Sequence, residues 1–238
     1  MQEFSLYLRQ HLDALVTTLE AAMYEKISPL TIEAWRTSEP EPFSRRTAGK
    51  HLKLSIGDSW GGLFDCAWFH FTGSVPSSAR GAKVVCCIDI NGEMCVVDRK
   101  GTPVRGLTNA ASTFASSLGR PGKRIMPIAD PAHGGEKIDL WADAGCNDLF
   151  GELKENGTIR EAHIAVCHEQ VRQLYYDVEV LLDLMKNSPA ESSEARRIET
   201  ALFDVAELVG SSGPRQTAQT ARELLASFFV RTGTAHRC

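Results

Sequence analysis

The chain has 238 residues, of which 43% are hydrophobic and 24% are charged, a balance typical of folded globular proteins rather than disordered or fibrous ones. Its formal net charge of −4 provides no overall cationic field, which argues against nucleic acid or an anionic membrane surface as a partner. The sequence also contains no apolar run near the roughly 20 residues that a membrane-spanning helix needs, and no signal peptide at its start.

The cysteine pattern favours thiols over a metal cluster or a disulfide framework. The seven cysteines form an odd set without C-x-x-C spacing. Cys86 and Cys87 are adjacent on an expected strand, so their side chains point to opposite faces and cannot bind one ion together. Buried thiols in a reducing compartment are the favoured interpretation, and we expect a cytoplasmic location.

The first part of the chain, residues 1–49, is predicted to be an N-terminal helix followed by a connector. A helix over about residues 3–24 is indicated by apolar residues on one helical face. These residues are Phe4, Leu8, Leu12, Leu15, Leu19 and Ala22. Ser28-Pro29 is expected to end this helix, residues 32–35 to be extended, and Glu39-Pro40-Glu41-Pro42 to form a turn-rich connector.

The second part, residues 50–168, is predicted to be an antiparallel β-sandwich or jelly roll of the galactose-binding-like type. Short β-like runs alternate with Gly, Pro, Asn and Asp, and no long helix separates them. The expected strands are Leu52–Ile56, Ala67–Gly73, Val84–Ile90, Met94–Val97, Val104–Leu107, Ile125–Ile128, Lys137–Ala144 and Thr158–Val166.

Two turns within this part have defined chemistry. Asn91-Gly92 lies between two runs rich in β-branched residues and predicts a β-hairpin with a type I′ turn, since both residues tolerate positive φ. A second turn at Asp98–Gly101 predicts that the chain continues as a meander.

The third part, residues 169–238, is predicted to be helical. One helix stops before Pro189, the next is capped by Ser192 or Ser193, and a third begins at Pro214. The apolar faces are expected at Val171, Leu174, Val178, Leu181 and Met185, then at Ile198, Leu202, Val205 and Val209. The apolar end at Leu224, Leu225, Phe228 and Phe229 is compatible with a missing neighbour or with packing on the preceding helices.

No part of the sequence contains strong candidates for catalytic or metal-binding residues. Glycoside hydrolysis needs two carboxyl groups at a defined separation, but the candidate acids Asp89, Glu93, Asp98, Asp139 and Asp143 are expected to be turn or surface groups. There is no G-x-S-x-G elbow, and the pairs of adjacent glycines do not have the spacing of phosphate-binding loops.

The histidines do not form a convincing metal site in the sequence either. His11 and Asp13 lie on opposite sides of the expected helix, so they cannot share an ion. His163, Cys167 and His168 have closer spacing but span a strand-to-helix boundary, which favours structural roles. We therefore assign no catalytic, cofactor-binding or metal-binding residue in this chain.

The four tryptophans, at positions 35, 60, 68 and 141, could provide a platform on which sugar rings stack. Packing in the core or on a sheet is the favoured role for most of them. An exposed row of aromatic residues beside a groove would be the feature that identifies a sugar-binding module.

Several sequence blocks, taken in order, resemble the N-terminal accessory region of glycoside hydrolase family 38 α-mannosidases of the yeast vacuolar and bacterial type. Together they cover about residues 30–230. The blocks are Gly57-Asp58-Ser59-Trp60-Gly61, Ala67-Trp68-Phe69, Val75-Pro76, Gly92-Glu93 through Asp98, Gly101, Pro103, Gly106-Leu107-Thr108-Asn109, Ala144-Gly145-Cys146-Asn147-Asp148-Leu149-Phe150-Gly151 and Leu174-Tyr175-Tyr176-Asp177-Val178.

The resemblance implies a β-sandwich followed by helices that lead into a separate catalytic domain. In that family the catalytic domain binds a divalent metal, typically zinc, through a motif of the type Gly-x-x-His-Ile-Asp-x-x-Trp. His236 lies about where the first ligand would fall, but Cys238 occupies the Asp position, so no metal role is transferred to His236.

This departure predicts a non-catalytic domain or fragment that is inactive as a mannosidase by itself and has no cofactor of its own. Its expected partners are the catalytic domain of the parent enzyme, a second copy of the chain, or an oligosaccharide. The alternatives are a free-standing carbohydrate-binding β-sandwich and a small enzyme with its own pocket of acids or a metal.

Overall fold

The computed structural model describes residues 2–108, 123–147, 156–189 and 192–230. The chain divides into two compact units. The β unit is Lys26–Val166, and the helical unit combines Met1–Glu25 with Cys167–Cys238.

The β unit has a mostly antiparallel, jelly-roll architecture, which confirms the predicted fold class. Its described strands are β1 Tyr24–Pro29, β2 Thr31–Thr37, β3 Lys50–Leu54, β4 Ser59–Gly62, β5 Cys66–Ser74, β6 Val84–Asp89, β7 Glu93–Val97, β8 Pro103–Thr108, β9 Ile125–Ala129, β10 Lys137–Gly145, β11 Asn156–Thr158 and β12 Glu161–Cys167. They form a four-stranded sheet in the order β1-β12-β6-β9 and a six-stranded sheet in the order β3-β2-β5-β10-β7-β8, while β11 and β4 form a small third sheet.

The core of the β unit lies between the two larger sheets. Alternate residues of each strand point inward, so Ile32, Phe69 and Phe71 of the six-stranded sheet join one cluster with Ile88 and Ile164 of the four-stranded sheet. Each of these five side chains is at most 4% exposed. The period-two pattern of the sequence therefore identifies the inner faces correctly.

The hairpin predicted at Asn91-Gly92 is wrong. Strand β6 pairs with β12 and β9, whereas β7 pairs with β10 and β8, so this turn carries the chain from one sheet to the other. Asn91 has a φ of 52°, but Gly92 does not share a positive φ. A Cβ on Gly92 would lie 2.8 Å from the carbonyl oxygen of Gly145, so close packing explains this glycine.

The second predicted turn is confirmed as the hairpin between β7 and β8. The backbone N–H of Asp98 donates to the carbonyl oxygen of Thr102, and Gly101 adopts a φ of 84°. The Asp98 carboxylate accepts hydrogen bonds from the backbone N–H groups of Thr102 and Lys100. These bonds lower the pKa of Asp98, because they stabilise its ionised form.

Three segments differ from the predicted strands and helices. The first helix ends at Ala22, close to the expected residue 24, but Tyr24–Pro29, where Ser28-Pro29 was expected only to end the helix, forms strand β1. The predicted strand Thr158–Val166 is divided into β11 and β12. Strand β4 was not predicted, since Ser-Trp-Gly-Gly has no alternating pattern.

The helical unit contains four described helices around one core. They are α1 Gln2–Ala22, α2 Glu169–Asn187, α3 Ser193–Ser212 and α4 Pro214–Val230. The side chain of Ser192 accepts a hydrogen bond from the backbone N–H of Ala195, which confirms the predicted cap. Gly213 ends α3 with a φ of 82°, a conformation that glycine adopts without strain. None of the helices in the described ranges combines the length and the apolar character needed to cross a membrane.

The core of the helical unit contains most residues of the predicted apolar faces of α1, α2 and α3, with Ala218, Ala221 and Leu225 of α4, while the side chain of Phe4 lies outside the described part of the chain. Leu225 is buried and Phe228 and Phe229 are partly buried against this core, whereas Leu224 is 48% exposed, so packing on neighbouring helices accounts for part of that apolar end. The larger exposed apolar side chains of α2 are Tyr176, Val180 and Leu184.

The domain limits expected from the sequence, at residues 49 and 168, stay predictions. The compact β unit begins earlier in the chain, at Lys26, because β2 pairs with β5 inside the six-stranded sheet. The predicted residues Asn109, 148–151, His236 and Cys238 lie outside the described ranges.

Candidate functional site

The outer face of the six-stranded sheet collects aromatic and imidazole rings from four neighbouring strands. Trp35 of β2 lies directly opposite His51 of β3 on one side and Trp68 of β5 on the other. His70 of β5 lies opposite Trp141 of β10. Because paired residues of neighbouring strands share a face, all five rings lie on the face away from the core.

Four of these rings stack in a row. The Trp35 ring lies 4.8 Å from the His51 ring and 5.3 Å from the Trp141 ring, and the His70 ring lies 4.2 Å from Trp141, all between ring centroids. We call this row, with Phe43 and Arg46 beside it, the aromatic surface. Trp35, Trp141 and His70 are half-buried and His51 is exposed, so part of the row stays accessible to solvent.

Two carboxylates on the same face hold the imidazole rings of this surface. A carboxylate oxygen of Glu33 lies 3.0 Å from Nε2 of His51, and one of Asp139 lies 2.7 Å from Nε2 of His70. The row therefore combines ring faces with charged hydrogen-bonding groups at its edges, a combination that suits a polyhydroxylated ring compound.

Arg46 adds a cation to the same surface. Its guanidinium carbon lies 4.6 Å from the centre of the Trp141 ring and 4.3 Å from that of Phe43. One terminal nitrogen donates to the carbonyl oxygen of Phe43, but the Nε atom is buried without a hydrogen-bond partner. These three residues and Asp139 line part of a surface cavity of about 470 Å³.

The other two tryptophans are buried. Trp60 is 0% exposed and donates its indole N–H to the carbonyl oxygen of Ile90. Trp68 is 5% exposed, packs edge-on against Phe43 and donates to the carbonyl oxygen of Glu41. The tryptophans therefore divide into two that fill the fold and two, Trp35 and Trp141, that remain partly accessible.

The candidate acids do not assemble into a glycosidase pair along β10. Asp139 and Asp143 share a face four residues apart, which places them about 13 Å apart along an extended strand. Inverting glycosidases need about 6.5–9.5 Å and retaining ones about 5–5.5 Å. Asp89 accepts a hydrogen bond from the backbone of Asn91, so it stabilises a turn as expected.

Asp143 nevertheless has an unusual environment. Burial raises its pKa, because the charged form loses water. It lines a second cavity, of about 480 Å³, together with Glu93, Lys123 and Cys66. The Glu93 carboxylate accepts a hydrogen bond from the side chain of Asn147, which holds it at the surface.

The three histidines considered as metal ligands in the sequence, His11, His163 and His168, lie in separate places. Nε2 of His11 lies 3.7 Å from a Glu207 carboxylate, and Nε2 of His168 lies 3.0 Å from a Glu25 carboxylate. His163 lies instead beside Cys87 and Glu161 in the β unit. Burial, with a smaller contribution from nearby cations, lowers the pKa of His163 to about 4, so its imidazole is neutral at pH 7.

Comparison with known proteins identifies the β unit. The family model described as "Ams1-like, alpha-mannosidase, jelly roll domain" matches residues 28–172, which is more than half of the chain. The chain belongs to this family. The match coincides closely with the β unit at residues 26–166.

Two curated proteins are similar to this chain over most of its length. Alpha-mannosidase 2C1 of Mus musculus is 26% identical over 227 residues, which is 90% of this chain and 21% of the mouse protein. Alpha-mannosidase 2C1 of Homo sapiens is 27% identical over 215 residues, which is 85% of this chain and 19% of the human protein. The chain thus spans about a fifth of the length of these relatives.

The sequence blocks that carried the resemblance have structural roles in this jelly-roll domain. A Cβ on Gly157 would lie 2.4 Å from the Trp60 ring, so the glycine lets strand β11 lie against the buried indole. Gly157 also pairs with Gly61 of β4, which belongs to the same block as Trp60. These contacts explain why the block fits a scaffold rather than a catalytic centre.

Sequence reasoning did not identify Glu33, Arg46, His51 and His70 as members of a surface site. Alternation within β2 places Glu33 on the same face as Trp35, and this signal is visible in the sequence. The pairing of β5 with both β2 and β10 is not visible there, yet it is what aligns His70 with Trp141.

Proposed function

We propose that this chain acts as a non-catalytic domain of an α-mannosidase of glycoside hydrolase family 38, where it supports a separate catalytic domain. The observation that carries the proposal is the match of the α-mannosidase jelly-roll family to residues 28–172. The length of the relatives, about five times the matched region, agrees with a catalytic part outside that region. In this proposal the catalytic zinc also belongs to the catalytic domain.

The arrangement of the described acids supports an inactive chain. Asp89 and Asp98 accept hydrogen bonds from turn backbones, and Asp139 is paired with His70. A mannosidase requires a carboxylate nucleophile and an acid/base at a short separation. The scaffold role therefore accounts for these groups without assigning them chemistry.

Hydrolysis of an aryl α-mannoside tests this proposal directly. We expect the purified chain, with and without added zinc, to release no more aryl alcohol than the blank, while an active family 38 α-mannosidase serves as positive control. Zinc-dependent turnover that co-purifies with the chain through successive columns would overturn the proposal.

A second role, contact with an oligosaccharide, is favoured by the aromatic surface. Sugar rings bind through their C–H faces to aromatic rings and through their hydroxyls to charged groups, and both kinds of group lie within the row. Trp141 is central because Trp35 and His70 stack on its ring and the Arg46 guanidinium lies over it, so it positions the groups that would contact a sugar. We infer that α-linked mannose oligosaccharides are the class of sugar contacted.

Titration calorimetry with an α-mannose oligosaccharide tests this contact. We expect saturable binding by the purified chain that Trp141→Ala weakens at least tenfold. Phe64→Ala is the matched control, since Phe64 is a 66% exposed aromatic residue of the same unit outside the aromatic surface. Absence of binding, or equal weakening in both variants, contradicts the sugar-contact proposal and leaves the scaffold proposal unaffected.

The expectations of a homo-oligomer and of a cytoplasmic location stay predictions. No disulfide joins the six cysteines within the described ranges.

A further inference from the structure

The outer face of the four-stranded sheet carries a polar cluster that the proposed function does not use. Cys87 on β6 lies directly opposite His163 on β12, and Glu161 lies two residues before His163 on the same strand. Alternation therefore directs all three side chains away from the core, which receives Cys86 and Ile164 instead.

The three side chains offer three different ligand types within a small space. One ligand atom from each, the Cys87 sulfur, a Glu161 oxygen and a His163 nitrogen, lies within 4.8 Å of both others. Nε2 of His163 lies 3.5 Å from Oε1 of Glu161. Tetrahedral zinc, with bonds of about 2.0–2.3 Å, separates its ligands by about 3.3–3.8 Å, so small side-chain rotations close the remaining gap.

The neighbouring groups orient the cluster. Arg124 donates to Oε2 of Glu161 at 2.7 Å, which leaves Oε1 on the side of His163. Such support of a ligating carboxylate is typical of protein metal sites. Asp89, directly opposite Glu161, adds a negative charge that offsets part of the positive charge of the two nearby cations, Arg124 and Lys26.

The neighbouring residues of this sheet face are apolar and buried. On the same sheet face, Val85 lies two residues before Cys87 and is 1% exposed. Ala165 lies two residues after His163 and is 0% exposed, as is Cys87. The Glu161 side chain keeps 19% of its surface exposed, which provides a route for an ion from solvent. Two adjacent strands thus hold the ligands with little freedom to move.

We propose that Cys87, Glu161 and His163 form a structural binding site for a zinc-class divalent cation that clamps β6 to β12, with water as the fourth ligand. Thiolate, imidazole and carboxylate together favour zinc over magnesium or calcium, which prefer oxygen ligands. On binding, the Cys87 thiol releases its proton to solvent and the sulfur takes the metal bond. The proposal departs from the sequence expectation of a chain without its own metal.

Cobalt titration of the whole chain, after treatment with a chelator, tests the site. Co²⁺ bound through a thiolate gives a charge-transfer absorption band in the near ultraviolet. We expect this band to saturate at one equivalent and to disappear when zinc is added. No thiolate band in the unmodified chain would overturn the proposal.

Variants assign the band to these residues. We expect Cys87→Ser to abolish it and His163→Gln to weaken cobalt binding at least tenfold, while Cys66→Ser, a change at a half-buried cysteine of the same unit, leaves it intact. Circular dichroism establishes whether each variant is folded. If Cys87→Ser does not fold, the cobalt affinity of His163→Gln tests the assignment. A band that persists in folded Cys87→Ser, an unchanged cobalt affinity in folded His163→Gln, or loss of the band in folded Cys66→Ser contradicts the assignment.

Discussion

The two faces of the six-stranded sheet use aromatic residues in opposite ways. On the inner face Phe69 and Phe71 are 0% exposed and stack 5.6 Å apart within the core. On the outer face Trp35 and Trp141 stack at 5.3 Å but stay half-buried, next to histidines, carboxylates and Arg46. The inner rings stabilise the fold through removal from water, whereas the outer rings are stacked yet retain surface for a partner.

The largest expected effect is a difference in stability between alanine variants of two neighbouring residues of β5. Phe69→Ala leaves a cavity in the core and is expected to lower the free energy of unfolding by about 3–5 kcal/mol. His70→Ala removes a partly exposed contact with Asp139 and the stacking contact with Trp141, and is expected to cost about 1–2 kcal/mol. Urea unfolding followed by circular dichroism measures both, and equal losses would show that the outer face also forms a core.

A smaller loss is expected where the backbone lies against a buried ring. Gly157→Ala places a Cβ 2.4 Å from the Trp60 ring, which must shift inside a packed core, at a cost of about 1–3 kcal/mol. The matched control is Gly106→Ala on β8, where no atom lies within 4 Å of the new Cβ. Thermal unfolding of both variants checks this, and an unchanged midpoint for Gly157→Ala would contradict the close packing of β11.

The smallest expected effect is an increase in thermal stability, and it concerns a charged residue on the outer face of the six-stranded sheet. Burial raises the pKa of Asp143, so the folded chain holds a proton in a pH range where the unfolded chain has lost it. The free energy of unfolding therefore falls as pH rises through that range. Above it, the buried charge of Asp143 lowers the free energy of unfolding by a constant amount. Asp143→Asn is expected to raise the thermal midpoint slightly at pH 7 and to have little effect near pH 3.

Asp139→Asn is the control for this change. Asp139 is exposed and pairs with His70, so its replacement is not expected to raise the midpoint at pH 7. Thermal melts of both variants at the two pH values make the comparison. Stabilisation by Asp139→Asn, or destabilisation by Asp143→Asn at pH 7, would contradict the assignment of burial as the dominant cause.

Much of the fold was predictable because it depends on local patterns. The period of apolar residues located the three C-terminal helices, and Ser192 and Gly213 mark the start and end of α3 through their own backbone chemistry. Most strands of the β unit were located within two residues for the same reason. A segment such as Tyr24–Pro29 was missed, since its strand conformation depends on a neighbouring strand rather than on its own pattern.

The candidate sites were less predictable, because each is assembled by strand pairing. His163 was grouped in sequence with Cys167 and His168, yet the register of β6 and β12 places it beside Cys87. The aromatic surface likewise depends on β5 lying between β2 and β10. Sequence spacing does not encode which distant strands become neighbours.

By itself the sequence determined the fold class and the positions of most helices and strands. It also determined the family resemblance, which is carried by blocks that include Trp60 and the turn at Asn91-Gly92. Only the tertiary structure decided that this turn joins two sheets and does not close a hairpin. The physical reason is that a turn fixes the direction of a few residues, whereas the partner of each strand is chosen by burial of its apolar face against distant parts of the chain.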